Sequence, residues 1–245
     1  MTEPTEFKPW PLHWRPEHVG RFWDWYSSRG ESSERYFSRA VGGRVLRATL
    51  RAVPVAGPAV EVGAAGGHFV EHLLKHGLDT LAVDTSPESV ALLERRLAGA
   101  PHFLGARVNQ SERLPLDDGY AGTLFLLETL EHLNDDTLEH ILQEARRVLR
   151  PGGSLVVTTP NEEELARNQA MCPNCGCVFH TVQHVQSFST QRLDQLLQRH
   201  GFASRACYAT LFSYMPLGVR TLHRVFWNLR RGKLPHLFFA GTRLP

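Results

Sequence analysis

Two kinds of hydrophobic run alternate along the 245-residue chain. Short, nearly unbroken apolar stretches at 59–62, 80–84, 103–108, 123–127 and 154–159 have the length of buried parallel strands. Between them, apolar residues recur three and four apart over 68–76, 87–98 and 135–149, the spacing of helices with one buried stripe. Ser86-Pro87-Glu88 reads as a helix start, with an N-cap, a proline in the first turn and then an acid. Pro151-Gly152-Gly153 reads as a helix stop. A helix at 190–200 and strands at 204–211 and 237–240 complete the pattern. Strands separated by single helices predict an α/β fold with a doubly wound, mostly parallel seven-stranded sheet, whose ligands bind at the strands' C-terminal ends.

Two regions break the alternation. Residues 1–12 are proline-rich and predict irregular chain, followed by helices over 16–26 and 36–50. The first helix is aromatic, and His13, Trp14, Trp23, Trp25 and Tyr26 either pack on the core or form a lid over a substrate. Residues 161–188 lack apolar periodicity and hold three of the four cysteines. The expected organisation is an N-terminal helical lid (1–52), a cofactor-binding core (53–160), an insertion (161–188) and the remainder of the core (189–245), with an aromatic and basic segment at 214–233.

Chemistry concentrates at Val60-Glu61-Val62-Gly63-Ala64-Ala65-Gly66-Gly67-His68, where a strand enters a helix through small residues. Gly63, Ala65 and Gly67 alternate, so a ligand can approach the backbone closely. Asp84 ends the next strand, 21 residues beyond Gly63, and suits a ribose diol. A dinucleotide turn wants a small residue where His68 stands, which favours S-adenosylmethionine over a nicotinamide dinucleotide.

The pattern of Glu61, Gly63, Ala65 and Gly67 resembles the cofactor loop of class I S-adenosylmethionine-dependent methyltransferases. Leu114-Pro115-Leu116, Leu130-Glu131-His132-Leu133, Arg146 to Gly153 and Thr158-Thr159-Pro160-Asn161 follow in that family's order, so the resemblance covers roughly 50–210. The family's Gly-Cys-Gly is here Gly63-Ala64-Ala65, its Asp-Ala is Gln110-Ser111, and its Phe-Asp before the fourth strand is Ala121-Gly122. The resemblance implies that Glu61 and the 63–67 backbone hold the methionine part, Asp84 the ribose, and Gln110 and Ser111 the adenine. Glu128, Glu131 and His132 fall at the end of the fourth core strand, Glu128 as a cofactor contact and His132 as either a general base or a structural residue.

The insertion reads Cys172-Pro-Asn-Cys175-Gly-Cys177-Val-Phe-His180, then His184. Cys172, Cys175, His180 and His184 have the spacing of a structural zinc site, with Cys177 a rival ligand and plain reduced cysteines the alternative. Net charge of +2 gives no general reason to expect nucleic acid, and no run approaches the ~20 apolar residues of a membrane span. With no signal-like N-terminal run, the expected location is cytoplasmic. The 214–233 segment is a solvated helix face or a contact for a membrane surface or phosphate, and the chain a monomer or homodimer. A methyltransferase acting on a small molecule is the leading reading, ahead of an RNA methyltransferase and a non-enzymatic cofactor-binding regulator.

Overall fold

The computed structural model describes residues 8–28, 37–212, 227 and 233–245. The chain opens with a two-residue strand, β1 (Trp10–Pro11), and two helices, α1 (Pro16–Ser28) and α2 (Phe37–Ala52). Strand and helix then alternate through β2 (Ala59–Val62), α3 (His68–Lys75), β3 (Thr80–Asp84), α4 (Pro87–Leu97), β4 (Phe103–Val108), β5 (Ala121–Leu127), α5 (Asp135–Val148) and β6 (Leu149–Pro160). After β7 (Gln169–Met171) and β8 (Cys177–His180) come α6 (Thr190–Arg199), β9 (Phe202–Thr210) and β10 (His236–Arg243). The 214–233 segment lies outside the described residues except at 227 and 233.

Seven strands form the main sheet in the order β4-β3-β2-β5-β6-β10-β9. From β4 to β6 all neighbours are parallel, while β10 runs antiparallel to both β6 and β9. Alternation along each strand fills both faces. Val60, Val62, Leu124 and Leu126 pack with Leu138, Leu142, Leu193 and Leu197 of α5 and α6. Ala59, Phe125 and Leu127 pack on the other side with Val45, Phe69 and Leu73 of α2 and α3. With both faces covered, the strands need no polar alternation, which is why they read as unbroken apolar runs. The fold class expected from the sequence is therefore the one observed.

Two local expectations need correction. Residues 1–12 are not wholly irregular: β1 pairs in parallel with Cys177–Val178, making a small sheet in the order β1-β8-β7. The pairing was hidden because a two-residue strand containing a proline carries no periodic signal. Strands β5 and β6 also start earlier than the hydrophobic runs suggest. Pro151-Gly152-Gly153 lies within β6, where an irregularity in the register accommodates Gly152 at φ +75°.

Ala121-Gly122, a departure from the family pattern, has a packing cause. Ala56 exchanges hydrogen bonds with the Thr123 hydroxyl, its N–H donating at 2.9 Å and its carbonyl accepting at 3.0 Å. A Cβ at position 122 would lie 2.6 Å from that same carbonyl oxygen. Gly122→Ala should destabilise the fold by about 1–3 kcal/mol, as overpacking does. Urea denaturation checks this, and unchanged stability would show that the segment before β2 yields to the methyl group.

Candidate active site

The sheet's winding reverses between β2 and β5, and the predicted cofactor residues lie at the C-terminal ends of β2, β3, β4 and β5. The turn after β2 holds Gly63 at φ +79°, Ala65 at +45° and Gly67 at +69°. A Cβ on Gly63 would stand 2.9 Å from Thr129 Oγ1, at the end of β5, so only glycine lets the two strand ends meet. Ala65 adopts left-handed backbone without glycine's freedom, at a cost of roughly 1–2 kcal/mol. Asp84 holds it there. Its Oδ2 accepts the Ala65 N–H at 2.7 Å and its Oδ1 the Ser86 N–H at 2.9 Å. Ser86 in turn caps α4, its hydroxyl accepting the Ser89 N–H.

Carboxylates crowd this edge. Glu61 is buried, and its Oε2 has no hydrogen-bond partner. Burial pushes its pKa well above the usual carboxylate range, and the charge of Asp84 adds to this. Asp84 is raised as well, chiefly by burial, against the opposing amides of Ser86 and Ala65. Glu128 (φ +48°) and Glu131 each keep an Oε1 that is buried and without a hydrogen bond. Burial and then the Glu128 charge raise Glu131. Buried, partly unsatisfied acids next to a glycine-lined turn suit a cationic ligand, which would supply the missing counter-charge. Gln110 and Ser111 follow β4 in exposed positions, with the Ser111 hydroxyl donating to the Arg113 carbonyl at 2.7 Å.

Beyond β5, the chain forms a single 3-10 turn, Leu130–His132, which the insertion clamps. Val185 and Gln186 donate N–H groups to the Glu131 carbonyl at 2.8 and 3.1 Å. Gln183 Nε2 donates to the His132 carbonyl at 2.9 Å, and Gln183 Oε1 accepts the Trp23 indole N–H at 3.0 Å. The Trp23 ring meets the His132 ring edge-on, with centroids 4.8 Å apart. Asp24, next on α1, adds its charge to those raising Asp84. One helix thus reaches both the Asp84 end and the His132 end of the crevice. Of the other lid candidates, Tyr26 packs on Trp23 and Trp14 meets Phe22 and Phe179, while Trp25 is 54% exposed. His13 offers its carbonyl to His18. Burial, with the charge of His184 adding, lowers the His132 pKa to about 3.

The predicted zinc ligands do not assemble into one site. Among the described residues, the sulfurs of Cys172, Cys175 and Cys177 lie within 4.8 Å of one another, whereas His180 and His184 group with Glu163. Strand parity explains the separation. Cys177 and His180 sit three apart in β8 and point to opposite faces. His184 instead joins a second group, with Glu131 and His132.

Residues 60–157 match a family profile described as a methyltransferase domain. The malonyl-[acyl-carrier protein] O-methyltransferase of Methylococcus capsulatus is 29% identical over 225 residues, covering 84% of this chain and 79% of that protein. The ubiquinone biosynthesis O-methyltransferase of Xanthomonas axonopodis pv. citri is 26% identical over 143 residues, 58% of each chain. Residues 60–157 thus form a methyltransferase domain of the class I S-adenosylmethionine-dependent kind. Solved structures agree on the fold. A chain from the complex of the Haloferax volcanii Trm112 methyltransferase activator with a methyltransferase superposes at TM-score 0.68, with 16% identity over 91% of this chain and 98% of that one. The geranyl diphosphate C-methyltransferase of Streptomyces coelicolor, in complex with Mg2+, geranyl diphosphate and S-adenosyl-L-homocysteine, gives 0.65, with 15% identity over 96% and 100%.

S-adenosylmethionine is therefore the methyltransferase's cofactor, and the unpaired carboxylate oxygens of Glu61 and Glu128 fit its sulfonium and ammonium charges. Sequence reasoning missed Gln183 and Glu163, which organise the other end of the crevice. Gln183 is fully buried at φ +59° yet lies in a stretch without periodicity. Its place between two histidines was the only signal.

Asp84→Ala should weaken cofactor binding by about 1.5–3 kcal/mol, the range for losing hydrogen bonds to a charged group. Titration calorimetry with S-adenosylhomocysteine reads this directly, and unchanged affinity would place the ribose partner elsewhere. The pH dependence follows from Glu61. Its raised folded-state pKa means that the folded chain binds the proton more tightly than the unfolded chain. Stability of the ligand-free protein therefore falls as pH rises from the unfolded glutamate value, about 4.3, through the raised folded one. Glu61→Gln should flatten that slope in denaturation curves taken across the range, and an unaltered slope would show the pH dependence to arise at other groups.

Proposed function

We propose that this methyltransferase transfers a methyl group to an oxygen of a small molecule held between α1 and the 3-10 turn at His132. The observation that carries this reading is the cover over the crevice. Trp23 lies against His132 and is hydrogen-bonded to the buried Gln183, so α1 and the insertion together roof the space beside the cofactor turn. A roof of packed rings favours a compact acceptor over a folded protein or an RNA duplex. The O-methyltransferases among the relatives favour oxygen as the acceptor atom.

In the transfer, an acceptor oxygen forms a bond to the methyl carbon as the carbon–sulfur bond of the sulfonium breaks. The sulfur keeps that electron pair and leaves neutral, and the hydroxyl proton passes to water. The protein's share is to align the three atoms and exclude competing acceptors. Glu61, Asp84, Glu128 and the 63–67 backbone hold the cofactor, with Gln110 and Ser111 bordering the adenine. His132, an imidazole held near pKa 3, is too weak a base to carry the proton away at neutral pH. It presents a lone pair that orients the acceptor oxygen.

The test is turnover of methyl-labelled S-adenosylmethionine on hydroxyl- and carboxyl-bearing small molecules, set beside tRNA and protein extracts. Label appearing in a small ether or ester, at a rate reduced at least tenfold by Trp23→Ala, is the expected result (about 1.4 kcal/mol of lost alignment). Label confined to RNA or protein would overturn the acceptor class.

A structural zinc on Cys172, Cys175 and Cys177 belongs to the same proposal, replacing the four-ligand set expected from spacing. Support comes from the convergence of three thiols on a hairpin tip, where the Cys172 N–H donates to the Cys177 carbonyl at 2.9 Å and the Gly176 N–H to the Cys172 carbonyl at 2.8 Å. Cobalt substitution should give an intense sulfur-to-cobalt charge-transfer band that Cys175→Ser diminishes. Absence of the band in the wild-type protein would leave the cysteines as plain thiols.

A further inference from the structure

The cluster at the roofed end has the donor set of a second, different metal site. Ligand atoms of Glu131, His132 and His184 all lie within 4.8 Å of one another. The three residues come from two distant segments, the 3-10 turn after β5 and the chain after β8. Each is anchored at one end and leaves the other end for the centre. Glu131 Oε2 accepts the Thr159 hydroxyl at 3.0 Å, while Oε1 is buried without a hydrogen bond. His184 engages Glu163 Oε2 through Nδ1, leaving Nε2. His132 Nδ1 faces the Gln183 carbonyl at 3.4 Å, again leaving Nε2. A carboxylate or carbonyl on the far nitrogen is what fixes ligating histidines and raises their basicity.

We infer that Glu131, His132 and His184 hold a divalent transition-metal ion whose open positions take the oxygen of the methyl acceptor. Two imidazoles and one carboxylate on one side suit manganese, iron(II) or zinc better than magnesium. A bound cation would polarise an acceptor hydroxyl and ease loss of its proton to water before the methyl group arrives. The ion then stands between the His132 lone pair and the acceptor oxygen. This inference rests on the reading that the roofed end receives the acceptor.

The neighbouring group of Glu163, His180 and His184 is just as compact but chemically different. His180 Nδ1 accepts the His184 backbone N–H at 3.1 Å, so the neutral ring carries its proton on Nε2. That nitrogen lies 3.4 Å from Glu163 Oε1, within ion-pair distance but without a hydrogen bond. His180 and Glu163 therefore support His184 from behind and are positioning residues, not ligands.

Mn2+ is the probe, because it avoids thiolates and so reports nothing about the cysteine hairpin. Titration of the 245-residue chain, followed by loss of the free-ion electron paramagnetic resonance signal, should give one Mn2+ per chain without any acceptor present. His184→Ala, His132→Asn and Glu131→Gln should each weaken it by about tenfold or more. His180→Asn, whose side-chain oxygen can still accept the His184 N–H, should retain it. Unchanged S-adenosylhomocysteine affinity certifies that each variant is folded. No stoichiometric Mn2+ binding, or binding lost in His180→Asn but kept in His132→Asn, overturns the site. Because Mn2+ binding is read apart from turnover, a failed acceptor screen with Mn2+ bound counts against the acceptor reading alone. Methyl transfer that persists in a protein unable to bind Mn2+ counts against the metal alone.

Discussion

The working end of this enzyme depends on two parallel neighbours, β2 and β5, whose chains leave in opposite directions. Their backbones must approach so closely that Gly63 cannot carry a side chain against Thr129. The divergence opens the crevice, and the closeness places Glu61 and the end of β5 on its two walls. Sheet order alone would supply a gap at this point. What suits the gap to a cationic cofactor is its lining of acids with unsatisfied oxygens and of left-handed backbone at Ala65 and Glu128.

Burying several acids together is costly, and the protein limits that cost in two ways. Backbone amides absorb part of the charge at Asp84, where Ala65 and Ser86 each donate. At Glu61 and Glu131 one carboxylate oxygen each is left without a partner, and burial raises all three acids. A cationic ligand bound here would complete what the fold leaves unfinished and would couple its binding to local stability at this edge.

Much of this was legible in the sequence because it rests on local rules. Apolar runs over 59–62, 80–84 and 154–159 marked the sheet, Ser86-Pro87 marked the start of α4, and the small residues at 63–67 marked the turn. The order of motifs gave the class. Long-range geometry was not legible. Nothing local tells that Gln183 will reach the His132 carbonyl 51 residues away, or that Trp10 will pair beside Cys177. Spacing of Cys172, Cys175, His180 and His184 suggested one metal site because a linear pattern does not show strand parity. Once β8 forms, Cys177 and His180 face apart, and the thiols and imidazoles fall into different clusters.

The small sheet formed by β1, β8 and β7 ties the segment before the aromatic helix α1 to the cysteine hairpin. Trp10 donates its backbone N–H to the Gly176 carbonyl and its indole N–H to the Cys175 carbonyl, only a few residues before α1 begins. Trp23 and Gln183 make a second link at the far end of the same assembly. Helix α1 and the hairpin are thus fastened to each other at two points, so α1 cannot be displaced without breaking one of these links or carrying the insertion with it. Whatever orders the cysteine hairpin would in this way bear on the position of Trp23, which lies against His132.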